Sequence, residues 1–377
     1  MVSPTDWRSA PSGTRILEVG EHCLIGRALP DITDYACTSL TSRPPALPST
    51  LRCLEAVTAI GSLRKNGYGL VVAHAPAYAP WQAEMLRYAA RRPLARGGPL
   101  LLRALLLRWL PPRVPLIMLD LEDAPIVHTH NVPLLDRALL CFKRELPADR
   151  ARLFMHTKAP ALPETAARRG EPLATRIAKF RPISSGLSAE ILSSAPPRQA
   201  TKTSDIFFVG EVAGSSTHRR SGFAELHALA TRGLRVDLPE ERLDLPRFLE
   251  RAGAAHLVWS PEGYAHECFR HYEAAACWSV PVINTPGIER YRPLLQGLHA
   301  IYYSVEPGCL TTAVVRALRQ PDRLLKMGRA AHRHALRHHS HVALARYVLA
   351  ETEAALTQRR EGDLPVPGFV PSADAGA

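Results

Sequence analysis

The sequence predicts an α/β fold of two domains, each a doubly wound parallel sheet with helices on both faces. Three observations lead there. Short apolar runs, such as GLVVA at 69–73, VPLIML at 114–119, DIFFV at 205–209 and VPVI at 280–283, are separated by stretches of helical periodicity. Strands of this length alternating with helices are βα units, which build parallel sheets. The chain has 377 residues, 46% of them hydrophobic, which is more than one ordinary core takes and enough for two.

The elements follow in order. The first fifty residues carry no clear pattern, and 35–49, rich in Thr, Ser and Pro, read as a loop. A helix over 51–65 stops at Asn66-Gly67, a suitable C-cap. The strand at 69–73 carries His74 and Pro76 to its C-terminal end, and a helix follows over 81–92. Leucines dominate 96–113, interrupted by Arg103 and Arg108. This stretch reads as a buried helix with snorkelling arginines, or as a segment lying on an anionic membrane surface. The strand at 114–119 delivers Asp120, Glu122 and Asp123, with His128 and His130 after them. Short strands at 139–144 and 153–156 precede a Pro- and Ser-containing connection over 160–197 with a helical piece at its centre. In the second half, strands at 205–209, 234–238, 256–259, 280–283 and 300–304 alternate with helices at 219–231, 245–252, 267–277 and 288–296. Helices fill the chain from 310 onwards. The expected division is an N-terminal domain over 1–200, a C-terminal domain over 201–340, a helix over 341–360 crossing back to the first domain, and a mobile tail over 361–377.

Composition narrows the class. The seven cysteines are scattered, with no CxxC pair, so neither a disulfide framework nor a zinc knuckle is expected. The N-terminus has no apolar leader core, and no run of about 18 apolar residues occurs. These features predict a cytoplasmic protein, at most peripheral at the inner face of the membrane. A net charge of +12 permits nucleic acid, anionic lipid or phosphorylated ligands as partners. Nucleic acid is disfavoured, since no helix-turn-helix, zinc or aromatic-basic signature appears.

In doubly wound sheets ligands bind beyond the carboxyl ends of the strands. The loop after 209, GEVAGSSTHRR, offers Gly210, Gly214, Arg219 and Arg220 before a helix N-terminus, a setting that suits phosphate. An ordinary loop with solvated arginines accounts for the same residues. Neither GxxxxGK[ST] nor GxGxxG is present. The loop after 259 carries Glu262, Gly263 and Tyr264, and the next helix opens near His266. Arg270 and Glu273, three apart, share one helix face and can present a guanidinium to a diphosphate and a carboxylate to ribose hydroxyls. A surface ion pair worth a few tenths of a kcal/mol explains that spacing equally well. In the first half, Asp120, Glu122, Asp123, His128 and His130 lie where a general base for an acceptor hydroxyl would sit, or where they merely cap a loop. On the C-terminal helix, His334 and His338 have a spacing a metal could use. Arginines interleave there without a carboxylate or cysteine, so a solvated basic helix and no metal are expected.

The stretch YEAAACWSVPVI at 272–283 resembles the donor-site signature of GT-B glycosyltransferases, in which a Glu on a helix is followed by small residues and then by a VPV-type strand. SPEG, CFRHYEA and VPVI taken together, with FFVG and its downstream arginine pair, LDLED and FKRE, are similar to the CgeB-like, spore-maturation branch, with exostosin-type domains more distant. The strong match covers about residues 203–305. The resemblance implies a GT-B fold, two Rossmann-like domains facing across a cleft. It implies sugar transfer from a nucleotide-sugar donor to an acceptor (glycan, natural product or lipid-linked), with no metal or other cofactor. Glu273 would hold the donor ribose, and Arg270 with one of Arg219 or Arg220 would face the diphosphate. Gly210, Glu262, Gly263, Tyr264 and His266 would complete the donor loops. The first glutamate of the family's pair is missing, because Ala265 holds its place, and Glu267 or His266 would substitute. Asp120, Asp123, His130 and Glu267 are the catalytic candidates. The missing glutamate motivates a rival reading, a catalytically inactive binding or scaffold protein. The charge motivates another, a basic nucleic-acid-binding protein.

Overall fold

The computed structural model describes residues 15–40, 49–63, 65, 67–108, 114–159, 162–164, 173–197, 201–212 and 216–362. Asn66, Gly214 and most of the expected tail lie outside them. The first half contains β1 (Arg15–Gly20), α1 (Ile25–Ala28), β2 (Thr33–Cys37), α2 (Cys53–Gly61), β3 (Tyr68–His74), α3 (Ala83–Ala90), α4 (Pro93–Arg108), β4 (Leu116–Asp120), α5 (Val132–Arg137), β5 (Leu140–Lys143), β6 (His156–Ala159), β7 (Leu162–Glu164), α6 (Leu173–Ile177) and β8 (Phe180–Pro182). After α7 (Ala189–Ser194), the second half runs β9 (Ser204–Phe207), α8 (Thr217–Thr231), β10 (Val236–Asp237), α9 (Leu245–Ala254), β11 (Ala255–Trp259), α10 (Phe269–Ala276), β12 (Val280–Asn284), β13 (Ile301–Tyr303), α11 (Cys309–Leu318), α12 (Pro321–His339) and α13 (His341–Gly362).

Two wholly parallel sheets result, in the orders β2-β1-β3-β4-β5-β8 and β10-β9-β11-β12-β13. The central strands β4, β5 and β12 are buried on both faces, as apolar runs require, while the edge strand β10 is half-buried. Leu17, Val71, Met118 and Cys141 pack under α2, α4 and α5. Their neighbours Ile16, Val72, Ile117 and Phe142 point the other way. On that second face the first half supplies, among the described residues, the four-residue α1. Leu344, Ala345, Val348 and Leu349 of α13 fill the remainder, so the C-terminal helix crosses back to finish the first domain's core. In the second half, α9 and α10 cover one face of the sheet, α8 and α11 the other. Leu187 and Ile191 at α7 belong to this second core.

Several elements differ from the sequence reading. β1 and β2 carry no clean apolar run, because Glu18 and Asp34 interrupt them. Glu18 is fully buried all the same. It accepts from the backbone N–H groups of Leu24, Ile25 and Gly26 at 2.8, 3.2 and 2.8 Å and meets His74 Nε2 at 2.9 Å. Burial alone would raise its pKa, but His74 and the N–H groups bring it below the usual value. The 153–156 strand is instead a 3₁₀ turn over Arg150–Phe154, followed by β6 in a separate antiparallel pair with β7. No helix forms over 288–296. Pro293 lies within that segment, Arg292 has φ 40°, and the backbone is taken by cross-domain pairing, with Glu289 N donating to Leu146 O at 2.7 Å. The leucine-rich helix is buried through Leu102, Leu106 and Leu107, but Arg103 does not snorkel. It is buried and donates to Thr38 O (2.9 Å) and Glu21 (2.6 Å). Nor is the His-rich α12 merely solvated, since His339 is fully buried and His332 stacks on Trp278 at 3.5 Å. Among the described residues no group of three or more His, Cys, Asp or Glu is placed to hold a metal ion.

Candidate active site

Strand order reverses direction between β1 and β3 in the first sheet and between β9 and β11 in the second. At such switch points the loops diverge and leave a crevice at the carboxyl ends. In the second sheet the switch point lies between Gly210, after β9, and Gly263, after β11. Both glycines are needed for close approach. A Cβ at Gly210 would lie 2.8 Å from Arg270 Nη2, and one at Gly263 would lie 2.6 Å from Arg219 Nη2. The two guanidiniums therefore nest against bare backbone.

Arg219 is buried on the first turn of α8, whose N-terminus is capped by Ser216. It donates to Glu211 O at 2.8 Å, and Nη2 lies 4.0 Å from Cys268 Sγ. Burial, with Arg270 nearby, lowers its pKa. Arg270, on the first turn of α10, donates to Val209 O at 2.8 Å and lies over the Phe208 ring at 5.0 Å. It does not pair with Glu273, so the surface ion pair that the spacing allowed is absent. Arg219 Nε, Arg270 Nε and Arg270 Nη1 are buried without an acceptor among the described residues. A buried unpaired donor costs about 1–3 kcal/mol, more when charged, and native proteins keep few of them. Three such donors on two neighbouring arginines make this switch point a candidate anion site. Glu273, one turn further along α10, is half-buried, and desolvation raises its pKa.

The other donor-loop candidates scatter around this nest. Arg220 is exposed and bonds Thr217 Oγ1 at 3.1 Å, so Arg219 is the arginine that meets Arg270. Glu262 is held by Asn284, accepting from its Nδ2 at 3.0 Å, and lies 3.5 Å from His218 Nε2. Tyr264 is 71% exposed. His266 faces Glu145 of the first domain, Nδ1 to Oε2 3.2 Å, and that bond raises its pKa. Glu267 is buried, with Oε2 unpaired among the described residues. Desolvation first, then the charge of Glu145, pushes its pKa up to about 7. The neutral acid is thus the form the fold prefers. Its contribution to stability is full below the ordinary value of 4.5 and is lost as pH rises from there through about 7. Glu267→Gln should remove this loss, so its melting temperature should gain on wild type across that window, by ~3 kcal/mol equivalent at most. Melting curves over pH 4–8 check this, and parallel curves for the two proteins would contradict it.

On the first domain, the committed acids differ from the free one. Asp120 is buried against Lys143 Nζ at 2.8 Å, and Asp123 is paired with Arg144. His130 Nε2 is engaged by Pro76 O at 2.8 Å, with its ring stacked on His128. Glu122 lies half-buried among Asp120, Glu21 and Asp123, and desolvation together with these charges pushes its pKa up to about 7. No hydrogen bond to its carboxylate is formed among the described residues. Glu21 and His22, at the end of β1, escaped sequence reading because that strand did. Burial raises the pKa of the Cys268 thiol against the pull of the nearby charges of Arg270, Arg219 and Arg144.

No protein-family model matches the sequence, and no curated protein matches it. Solved structures do. The chain is similar to sucrose-phosphate synthase from Thermosynechococcus elongatus (TM-score 0.50, 12% identity, covering 91% of this chain and 100% of that one). It is similar to a glycosyltransferase from Rickettsia africae (TM-score 0.50, 10% identity, covering 91% and 99%). A third is an α-glucosyltransferase in complex with UDP and a 13-mer DNA containing an HMU base (TM-score 0.52, 11% identity, covering 91% and 99%). At such identities what is shared is the fold. These structural neighbours are GT-B glycosyltransferases, and the chain has the two-domain α/β GT-B fold.

Proposed function

We propose that the protein is a metal-independent glycosyltransferase that moves a sugar from a nucleoside-diphosphate sugar to an acceptor hydroxyl. One observation carries the reading: Arg219 and Arg270 lie at the β9/β11 switch point with three guanidinium nitrogens buried and without an acceptor among the described residues. A diphosphate supplies oxygens for all three, and Glu273 accepts from ribose hydroxyls. The acceptor lies on the first domain, where Glu122 takes its hydroxyl proton. The freed oxygen forms a bond to the anomeric carbon, the bond from that carbon to the diphosphate breaks, and the diphosphate leaves with the electron pair. Fixed positive groups aimed at the leaving oxygens stabilise that charge without reorganising. A base on the acceptor side is what inversion at the anomeric carbon requires. SPEG, CFRHYEA and VPVI support a place in the CgeB-like branch. Trp81, Leu86 and Leu101 are exposed along the α3–α4 stretch of the chain, as are Arg87, Arg91 and Arg92, which supports peripheral contact with an anionic membrane.

The test is release of nucleoside diphosphate from a series of nucleotide sugars in the presence of EDTA, with water or added glycans as acceptor. Release from one donor that Arg219→Ala abolishes is expected. Tight nucleotide binding with no release from any donor would favour the inactive scaffold instead. Gly263→Ala should leave the melting temperature nearly unchanged, because the end of a flexible side chain yields to the new methyl. It should lower nucleotide affinity about tenfold, or ~1.4 kcal/mol, by displacing the Arg219 fork. Calorimetric titration checks this, and unaltered affinity would show that Arg219 is not a ligand.

A further inference from the structure

Glu145 belongs to the first domain, two residues beyond the end of β5, yet its carboxylate is spent on the second. Oε2 accepts from His266 N at 2.9 Å and Oε1 from Glu267 N at 3.0 Å. His266 Nδ1 adds a third contact at 3.2 Å. The side chain is completely buried. The two N–H groups are those of the turn that leads into α10, ahead of its N-cap Cys268, which has no side-chain cap of its own. Glu145 therefore grips the turn while leaving the N–H groups of the first helical turn for other partners. That first turn carries Arg270, and Glu273 follows one turn on.

The grip lies within a wider seam. Ala148 N donates to Gly287 O at 3.1 Å and Arg150 clasps Glu289 at 2.8 and 2.5 Å, both across the domains. These contacts join flank to flank, whereas Glu145 holds the turn that leads into the helix bearing Arg270, where Ser185 N also donates to Glu267 Oε1 at 3.4 Å. Its neighbour Arg144 points to the acceptor side, paired with Asp123. The dipeptide at the end of β5 thus ties acceptor-side acids and donor-side helix to one strand end.

We propose that Glu145 is a positioning residue that sets the α10 turn against the first domain and so fixes the distance between donor and acceptor sites. It is needed for transfer and not for holding the nucleotide. This rests on the glycosyltransferase reading, but its first test does not. Amide hydrogen exchange at His266 and Glu267 should be protected in the wild type and lose that protection in Glu145→Ala, with Glu145→Gln intermediate because it keeps one acceptor oxygen. Turnover of the donor that the wild type uses should fall on the order of 100-fold in Glu145→Ala, since misplacement by about 1 Å costs that much. Affinity for the nucleoside diphosphate should stay within about threefold, below what 1 kcal/mol produces. Unprotected amides in the wild type, or exchange unchanged in Glu145→Ala, would overturn the proposal. So would parallel losses of affinity and turnover that Glu145→Gln does not relieve. A wild type with protected amides but neither binding nor turnover would count against the glycosyltransferase reading and leave the grip standing.

Discussion

Arg270→Ala should weaken nucleoside-diphosphate binding by roughly 10²- to 10⁴-fold, because two charge-assisted hydrogen bonds of about 1.5–3 kcal/mol each are lost. The size follows from where the guanidinium sits. It lies over Phe208, fixed by Val209 O, with Nε and Nη1 buried and unpaired among the described residues. Such a group has already been desolvated in the fold, so a phosphate oxygen gains the bond without stripping water from the arginine. An exposed arginine would contribute far less, as surface ion pairs show. Arg270→Lys should recover only a small part, since an ammonium cannot reproduce the two-pronged fork. Titration calorimetry on the three proteins checks the order wild type, lysine, alanine. A lysine variant equal to wild type would reduce the site to simple point-charge attraction.

Glu122→Gln should lower kcat by about 10²- to 10⁴-fold while leaving nucleotide affinity unchanged, the loss expected when a positioned general base is removed. Its pKa near 7 comes from desolvation and from Asp120, Glu21 and Asp123 around it. A base works deprotonated, so wild-type kcat should fall as pH drops below about 7. The residual activity of the variant should lack that limb. Asp120→Asn makes an informative contrast. Its carboxylate is bound to buried Lys143, so its removal should cost stability by stranding that ammonium. If Glu122→Gln kept wild-type turnover, Glu122 would not be the group that takes the acceptor proton.

Much of the second half was legible because its strands carry short apolar runs, such as IFF, LVW and VPVI, set between helical stretches. Arg270 and Glu273 were placed on one helix face, and Gly210 and Gly263 at strand ends. What the sequence left open was which arginine of the pair at 219 and 220 turns inward. Adjacent helix residues differ by about 100° in direction, and only packing decides between them. The first sheet was less legible. Glu18 and Asp34 lie inside buried strands, and a polar residue satisfied by long-range partners looks like a break in a strand. Losing β1 hid its switch point with β3, and with it Glu21 and His22. The choice among Asp120, Glu122 and Asp123 was likewise invisible, since it turns on Lys143 and Arg144, some twenty residues away in sequence. The missing glutamate at Ala265 read as a defect. In the fold, the neighbouring backbone is met by Glu145 from the other domain, a contact that spacing cannot reveal.

The most direct test of the donor site is titration calorimetry of the wild-type protein against UDP, GDP, ADP, dTDP and CDP in EDTA, repeated with Glu273→Ala. Binding of at least one nucleotide is predicted, with melting raised by about 2.7 kcal/mol equivalent at a hundredfold the dissociation constant. The variant should bind the same nucleotide less tightly. Absence of binding by all five, or affinity that Glu273→Ala does not change, would contradict a nucleotide-sugar site at the β9/β11 switch point.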